Sequence, residues 1–308
     1  MSRGSLTRSA AYASIATAVF LVVIKLWATW RTGSTAMLGS LADTALDLVA
    51  SIATLIGVWI AAQPADKNHR FGHGKAEALA AIFQVMLITL SAGGIALRAI
   101  SQLAEGTETA AAEEGIAVSV IAIVATLALL AWQRHVIRQT GSLAIKTDHL
   151  HYQSDLLLNL AVIAALVLDQ FFNVGIADPL IGLAIALWLG WNAWQSAGDA
   201  IDHLMDREWP EDKRQELVAI AAQHPELESL HDLRTRTSGD RDFVQFHVDL
   251  PGEMTVAQAH DIIERVEADL LRHFPDTELL IHIDPEGHVD EPGNPLAEED
   301  ELEKLDKE

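Results

Sequence analysis

Long apolar stretches dominate the first two thirds of the chain. A helix needs about 20 mostly apolar residues to cross a bilayer, and six stretches meet that requirement. They cover residues 10–30, 36–62, 76–104, 115–133, 143–172 and 179–197. The first is not expected to be a cleaved signal peptide, because it contains Lys25 and a second apolar stretch follows at once. The pattern predicts a domain of six transmembrane helices over residues 1–208.

From residue 209 the apolar positions are spaced as in a small globular domain. Residues 211–223 and 256–273 show helical spacing, and residues 228–237, 242–250 and 278–283 are typical of strands. The order αββαβ predicts a small α+β domain over residues 209–286. The remaining residues, 287–308, are strongly acidic and contain two prolines, so they are expected to be a disordered tail.

The charge divides at nearly the same place. The formal net charge is −22, of which residues 1–200 contribute −2 and the rest −20. This acidic balance disfavours nucleic acid as a partner, because binding phosphates requires clustered Lys and Arg. The chain has no Cys, which excludes disulfides, thiolate zinc sites and a Cys nucleophile. Any metal must therefore be held by His, Asp and Glu.

Basic residues gather in the loops on one side of the predicted helices, and this asymmetry indicates the cytoplasmic side. An even number of spans then places both termini in the cytoplasm. The basic residues on this side are Arg3, Arg8, Lys67, Arg70, Lys75, Arg134, Arg138 and Lys146.

Ionisable residues inside the predicted spans indicate a metal site. The second span contains Asp43 and Asp47, and the fifth contains His151 and Asp155. A charge at the bilayer centre costs about 2.5–3.5 kcal/mol on insertion scales, so such residues are usually functional. Both pairs are spaced i, i+4, which places each pair on one helix face. Together they offer three carboxylates and one imidazole, enough for a tetrahedral divalent ion.

The alternative is that these carboxylates form structural ion pairs with Lys25, Arg98 or Lys146. Lys25 is the only cation well inside another predicted span, which leaves at least two carboxylates over. Metal ligands must be deprotonated, so protonation releases the metal. A site that opened alternately to the two sides of the membrane would exchange metal for protons.

Two further groups of residues could bind metal. The loop after the second span contains Asp66, His69 and His73, which could hold an ion or could simply be a solvated polar loop. Four histidines and one carboxylate lie on predicted elements of the α+β domain that are expected to pack together. They are His231, His247, His260, His282 and Asp284.

The chain resembles the cation diffusion facilitators, a family of proton-coupled exporters of divalent metals, and most closely their bacterial zinc and iron branch. The matching strings are GSTAMLGSLADTALD at 33–47, PAD and FGHGKAE within 64–77, LHYQSD at 150–155, HDLRTR at 231–236 and FHV at 246–248. The resemblance covers nearly all of the chain except the tail.

The resemblance implies a role for each group of residues. Asp43, Asp47, His151 and Asp155 would form the transport site, and the loop residues would form a second site. The histidines and Asp284 of the α+β domain would form a binuclear centre at a dimer interface, in a metallochaperone-like fold. Lys75 and Asp206 would form an interlocking ion pair that holds the membrane halves of the dimer together.

Two positions depart from the family pattern. His149 adds an imidazole beside the transport helix, but it points about 200° away from His151 and is not expected to be a ligand. Ile283 is apolar where relatives can be polar, which puts full occupancy of a second metal in doubt.

The function expected from the residues and the resemblance is metal export. The chain would be a homodimer in the inner membrane that exchanges zinc or cadmium, and possibly ferrous iron or cobalt, for protons. Manganese is less expected, because an imidazole moves the site away from all-oxygen coordination. The alternatives are a membrane metalloenzyme, for which no His-Glu-x-x-His motif is found, and a membrane-anchored metal sensor.

Overall fold

The structure is a computed structural model that describes residues 3–32, 35–105, 116–172, 177–227, 229–287 and 300–305. Within these ranges, it does not describe the side chains of residues 32, 35–40, 42, 43, 105, 116–119, 161–172, 177, 178, 303 and 304. The chain divides into two compact units, residues 1–202 and 203–308.

The first unit consists of long helices. They are α1 (Arg3–Thr32), α2 (Thr35–Ala61), α3 (Ala76–Glu105), α4 (Ile116–Thr140), α5 (Leu143–Phe172) and α6 (Ala177–Leu204). Each corresponds to one predicted span, and α1, α4 and α6 extend several residues beyond the predicted ends. These extensions contain polar residues that suit the ends of a span, so apolar length alone did not include them.

Four of these helices have the length and apolar character to cross a membrane. The spans run Arg3–Arg31, Thr44–Ala61, Ala76–Ala104 and Val120–Thr140, among the residues that the structure describes. The prediction of a helical membrane domain is confirmed. That α5 and α6 also cross the membrane stays a prediction, and the polar residues in the first half of α5 lower its mean hydropathy.

The membrane helices pack closely through small residues. Gly57 on α2 lies against α3, where a Cβ added to it would come within 2.4 Å of the Cβ of Ala80. Small residues at such positions allow membrane helices to approach closely. An apolar cluster that includes Leu6, Val58 and Ile145 joins α1, α2 and α5. This packing holds α5 beside α2, the two helices that carry the predicted transport residues.

The second unit is an α/β domain with the predicted order of elements. Its elements are α7 (Glu211–Ala221), β1 (Leu230–Ser238), β2 (Arg241–Leu250), α8 (Val256–His273) and β3 (Thr277–Pro285). The sheet order is β1-β2-β3, with β1 antiparallel and β3 parallel to the central strand. A capping box between Thr255 and Gln258 fixes the start of α8.

The far end of the tail folds onto this domain. Residues Glu301–Leu305 form a short helix, α9, and Leu302 and Leu305 pack against the core of the domain. Asp300 accepts a hydrogen bond from the backbone N–H of Leu230 at 3.1 Å. The tail was expected to have no structure, and residues 300–305 differ from that expectation. Leu302 and Leu305 make apolar contacts with the domain that the acidic residues of the tail cannot make.

Candidate metal sites

The first candidate site lies between α2 and α5 in the membrane domain. His151 Nε2 is 3.0 Å from Asp47 Oδ1 and 3.9 Å from Asp155 Oδ2. The three residues each present one ligand atom within 4.8 Å of the others. The imidazole is 9% exposed, whereas the two carboxylates are 18% and 30% exposed. The imidazole is therefore the most enclosed of the three groups, and Asp155 is the most exposed.

The i, i+4 spacing of His151 and Asp155 on α5 places both on the face that meets Asp47 of α2. Asp43, the fourth predicted ligand, lies outside the side chains that the structure describes. Of the cations weighed as structural partners, Lys25 donates to Thr44 at 2.6 Å and Lys146 pairs with Asp199.

The second candidate site is the loop between α2 and α3. The backbone N–H groups of His69 and Asn68 donate to Oδ1 of Asp66 at 2.7 and 2.8 Å. Mainly through these two bonds, the pKa of the Asp66 carboxyl is lowered below its usual value. Asp66 Oδ2 lies 3.4 Å from Nε2 of His73, and the two imidazoles are 3.1 Å apart. The loop thus brings all three predicted ligands together.

The third candidate site is built across the sheet of the α/β domain. In the strand register His231 is opposite His247, and His247 is opposite His282, so one histidine comes from each strand in a single row. Asp284 follows two residues later on β3, with its side chain 9% exposed. Its Oδ2 lies 2.8 Å from Nδ1 of His247 and 3.7 Å from Nε2 of His231.

Three of the predicted residues form the tight group here, namely His231, His247 and Asp284. His282 lies beside it, with Nε2 3.3 Å from Asp284 Oδ1 and its ring centroid 4.6 Å from that of His247. The structure does not bring His260 into this group among the described residues. His260 is 67% exposed on α8, where it contacts Glu264 at 3.4 Å.

The predicted interlock between Lys75 and Asp206 stays a prediction. Within the second unit, Asp206 has a positive φ of 59° and lies 3.5 Å from Arg236. Lys75 belongs to the other unit, at the start of α3.

Asp148 on α5 is a buried carboxylate that the spacing of residues along the sequence did not indicate as important. Asp148 is completely buried and accepts hydrogen bonds from Ser14, Gln84 and Gln133. An available signal was the presence of Gln84, Gln133 and Asp148 inside apolar stretches, where a polar side chain needs a partner. The partners come from distant parts of the chain, so the sequence did not show that these residues meet.

Two family models match nearly the whole chain. Residues 11–205 match the cation efflux transmembrane domain, and residues 209–286 match the cytoplasmic domain of cation efflux proteins. The second of these is a domain through which members of the family dimerise and bind metal ions.

Two solved structures resemble the second unit alone. One is the metal-bound C-terminal domain of the CzcD transporter from Thermotoga maritima, at 26% identity and a TM-score of 0.25, covering 26% of this chain and 93% of that one. The other is the cytosolic domain of a cation diffusion facilitator protein, at 26% identity and a TM-score of 0.24, covering 25% and 93%.

Full-length relatives include two bacterial proteins called cation-efflux pump FieF. The protein from Klebsiella pneumoniae is 41% identical over 288 residues, which is 94% of this chain and 96% of the relative. The protein from Cronobacter sakazakii is 42% identical over 282 residues, which is 92% and 94% of the two chains. The chain is thus a transporter and not an enzyme, and it belongs to the cation diffusion facilitators, which export divalent metal cations.

Proposed function

We propose that this protein exports zinc, with cadmium, ferrous iron and cobalt as further substrates, from the cytoplasm in exchange for protons. It acts as a homodimer in the bacterial inner membrane with both termini in the cytoplasm. The observation that carries this proposal is the enclosed group of Asp47, His151 and Asp155 between α2 and α5. Two carboxylates and an imidazole suit a divalent transition metal, and Asp43 is placed by sequence to add a third carboxylate.

The same ligand atoms explain the exchange of metal for protons. Metal binding requires deprotonated carboxylates and a neutral imidazole, so protons and metal compete for one set of atoms. With His151 Nε2 only 3.0 Å from Asp47 Oδ1, a proton held between the two groups must leave before a metal ion binds. Protons entering from the outer side would therefore release the metal there, and the protonated site would return to the cytoplasmic side.

The loop site and the sheet site lie outside the predicted transmembrane spans. We expect them to hold regulatory metal ions. Asp66, His69 and His73 would bind one ion at the loop. His231, His247 and Asp284 would bind another across the sheet, with His282 beside them. The strongly acidic second unit adds general attraction for cations, which salt screens beyond about 8 Å.

The proposed orientation of the protein in the membrane rests on the unequal distribution of basic residues between the loops on its two sides. Positive loop residues favour the cytoplasmic side, and six spans return the chain to that side. The matched cytoplasmic domain follows the sixth helix, which supports a cytoplasmic second unit. Bacterial relatives that are cation-efflux pumps support the inner membrane as the location.

Zinc flux measured in proteoliposomes with an imposed pH gradient tests the proposal. The wild-type protein should show saturable zinc flux that depends on the gradient, and Asp47→Ala or Asp155→Ala should reduce it at least about 100-fold. Asp261→Ala is the matched control, because Asp261 is exposed on α8 far along the chain from the ligands. Zinc flux that persists in both ligand variants would overturn the assignment of the transport site. Zinc flux that does not depend on the pH gradient would overturn the coupling to protons.

A further inference from the structure

A second buried carboxylate lies close to the transport site on the same helix. Asp148 precedes His151 by three residues on α5, and its side chain is completely buried. Ser14 Oγ donates to its Oδ2 at 2.6 Å, and Gln133 Nε2 donates to the same oxygen at 2.7 Å. Gln84 Nε2 donates to its Oδ1 at 2.8 Å. One carboxylate on α5 thereby contacts polar side chains of α1, α3 and α4.

The contacts of Gln133 define which way its amide points, and the amide of Gln84 also has its Nε2 toward Asp148. Gln84 Nε2 also donates to Thr54 on α2, while Gln84 Oε1 is buried without a partner among the described residues. Gln133 Nε2 also donates to Ser14 at 3.0 Å, and Gln133 Oε1 accepts from Nδ1 of His149 at 3.1 Å. Both NH₂ groups therefore face Asp148. The cluster thus presents donors to both oxygens of residue 148, and a carboxylate can accept on both.

Tyr152, one turn after Asp148 on α5, makes further polar contacts between α5 and other helices. Its hydroxyl donates to the backbone oxygen of Ser14 at 3.2 Å and lies 2.9 Å from Ser51 Oγ on α2. Positions 148 and 152 are spaced i, i+4 and share one face of α5. His151 and Asp155 occupy the neighbouring face, so the polar contacts made by Asp148 and Tyr152 set the position of the helix that carries both ligands.

We propose that Asp148 is a positioning residue for transport, an inference that rests on the proposed function. Through Ser14, Gln84 and Gln133 it holds α5 against α1, α3 and α4, which keeps His151 and Asp155 in register with Asp47 of α2. A buried polar group is costly unless it is hydrogen-bonded, and removing its donors leaves it without partners. Loss of a donor therefore weakens the contact between α5 and the helix that carries that donor.

The test depends on the direction of the hydrogen bonds and not on side-chain volume. Asp148→Asn keeps the shape but places its one NH₂ group against the NH₂ group of either Gln84, which donates to Oδ1, or Gln133, which donates to Oδ2. Gln133→Glu also keeps its shape but brings a second carboxylate beside Asp148. The double variant D148N/Q133E restores a donor facing an acceptor, and Ser14 and His149 can still donate to residue 133. A role in filling space alone would leave all three variants alike.

Zinc flux of the full chain in proteoliposomes gives the first readout. Each single variant should lower kcat/KM about tenfold or more while eluting on gel filtration as the wild type does, and the double variant should recover to within about threefold. Normal flux in both single variants, or a double variant no better than the poorer single one, would overturn the proposal. Loss of flux in the wild type, or its retention in Asp47→Ala, would instead contradict the proposed function.

A second readout reports the position of α5 without relying on transport. The chain contains no cysteine, so spin labels can be attached at Leu46→Cys on α2 and Leu157→Cys on α5, two exposed positions. The distribution of distances between the labels should broaden or shift in both single variants and return to the wild-type form in D148N/Q133E. An unchanged distribution in the single variants would exclude the positioning role even if flux were lost.

Discussion

His151 supplies the nitrogen atom in a candidate transport site whose other predicted ligands are carboxylates. Its ring lies between Asp47 and Asp155 and is the most buried of the three groups. Imidazole suits zinc, copper, iron and nickel, whereas oxygen-only ligand sets suit magnesium, calcium and manganese. We therefore expect the choice of metal to depend strongly on this single residue.

Replacing His151 by Asn should change which metal is transported. His151→Asn substitutes an amide for the imidazole, so the ratio of zinc flux to manganese flux should fall about tenfold. Parallel flux measurements with the two metals test this. His135→Asn is the control, since His135 is exposed on α4 and contacts Gln139 and Trp132. A ratio that is the same as in the wild type would show that His151 does not select the metal.

Asp269 on α8 links the stability of the second unit to pH. Partial burial raises the pKa of its carboxyl, but the hydrogen bonds and charges of His224 and Arg272 outweigh this and lower the pKa below its usual value. A carboxylate with a lowered folded-state pKa stabilises the fold above its unfolded pKa of about 3.9. That contribution is lost as the pH falls through the lower, folded-state value.

Asp269→Asn should therefore destabilise residues 203–308 at pH 7. The difference in free energy of unfolding between the variant and the wild type should become smaller as the pH falls below about 4. This free energy is measured by urea unfolding, which the fluorescence of Trp209 follows. Trp209 is the one tryptophan in this fragment. Asp261→Asn on an exposed position of the same helix should change the midpoint little at either pH. A difference that widened on acidification would reverse the sign that we derive.

At the scale of elements, the sheet brings together residues that are far apart in the sequence. Each of its three strands contributes one histidine to the row, and β3 adds Asp284. The register of β1 shifts between His231 and Arg234, and Asp232 there has a positive φ of 53°. The irregularity follows directly after His231, the position at which β1 meets the histidine row.

The short helix α9 should contribute to the stability of the same domain. Leu302→Ala or Leu305→Ala removes apolar contacts with the core, and each should lower the free energy of unfolding by about 1 kcal/mol. Urea unfolding of residues 203–308 measures the change. Leu280→Ala on β3 is the matched control, since Leu280 is 62% exposed and its loss should cost little. Equal effects at the three positions would mean that α9 does not pack on the domain.

The periodicity of the sequence was enough to predict the helices and strands. It predicted fewer of the contacts that form the candidate sites. Helix α8 begins and ends at the predicted residues, because its apolar spacing and its Thr255 cap agree. The pair His151 and Asp155 was visible because both lie on one helix. By contrast, the contacts of Asp148 and the exclusion of His260 from the tight group depend on how separate elements pack, which spacing along the chain does not reveal.

At the scale of the whole molecule, the chain has candidate metal sites in each of its two units. The membrane unit encloses Asp47, His151 and Asp155, while the second unit has its own apolar core and its own metal-site candidates. A domain with its own core can fold alone. The metal response of the second unit can therefore be measured separately from transport.

Zinc should stabilise residues 203–308 against unfolding through the sheet site. A ligand at about 100 times its Kd raises the free energy of unfolding by about 2.7 kcal/mol, and this gain should disappear in His247→Ala. His260→Ala should keep it, because His260 lies outside the tight group. Thermal unfolding with zinc and with a chelator measures the difference. Loss of the gain in His260→Ala, or its retention in His247→Ala, would contradict this assignment.

The division of the candidate sheet site among three strands also determines how late in synthesis this site can form. Asp284 on β3 is the last of its ligands to be synthesised, and all six long helices precede it. A growing chain therefore completes its long helices before it can complete the sheet site. A chain that stops before β3 would keep the candidate transport residues but lack the candidate sheet site, and we expect it to lack any control that metal binding there exerts over transport.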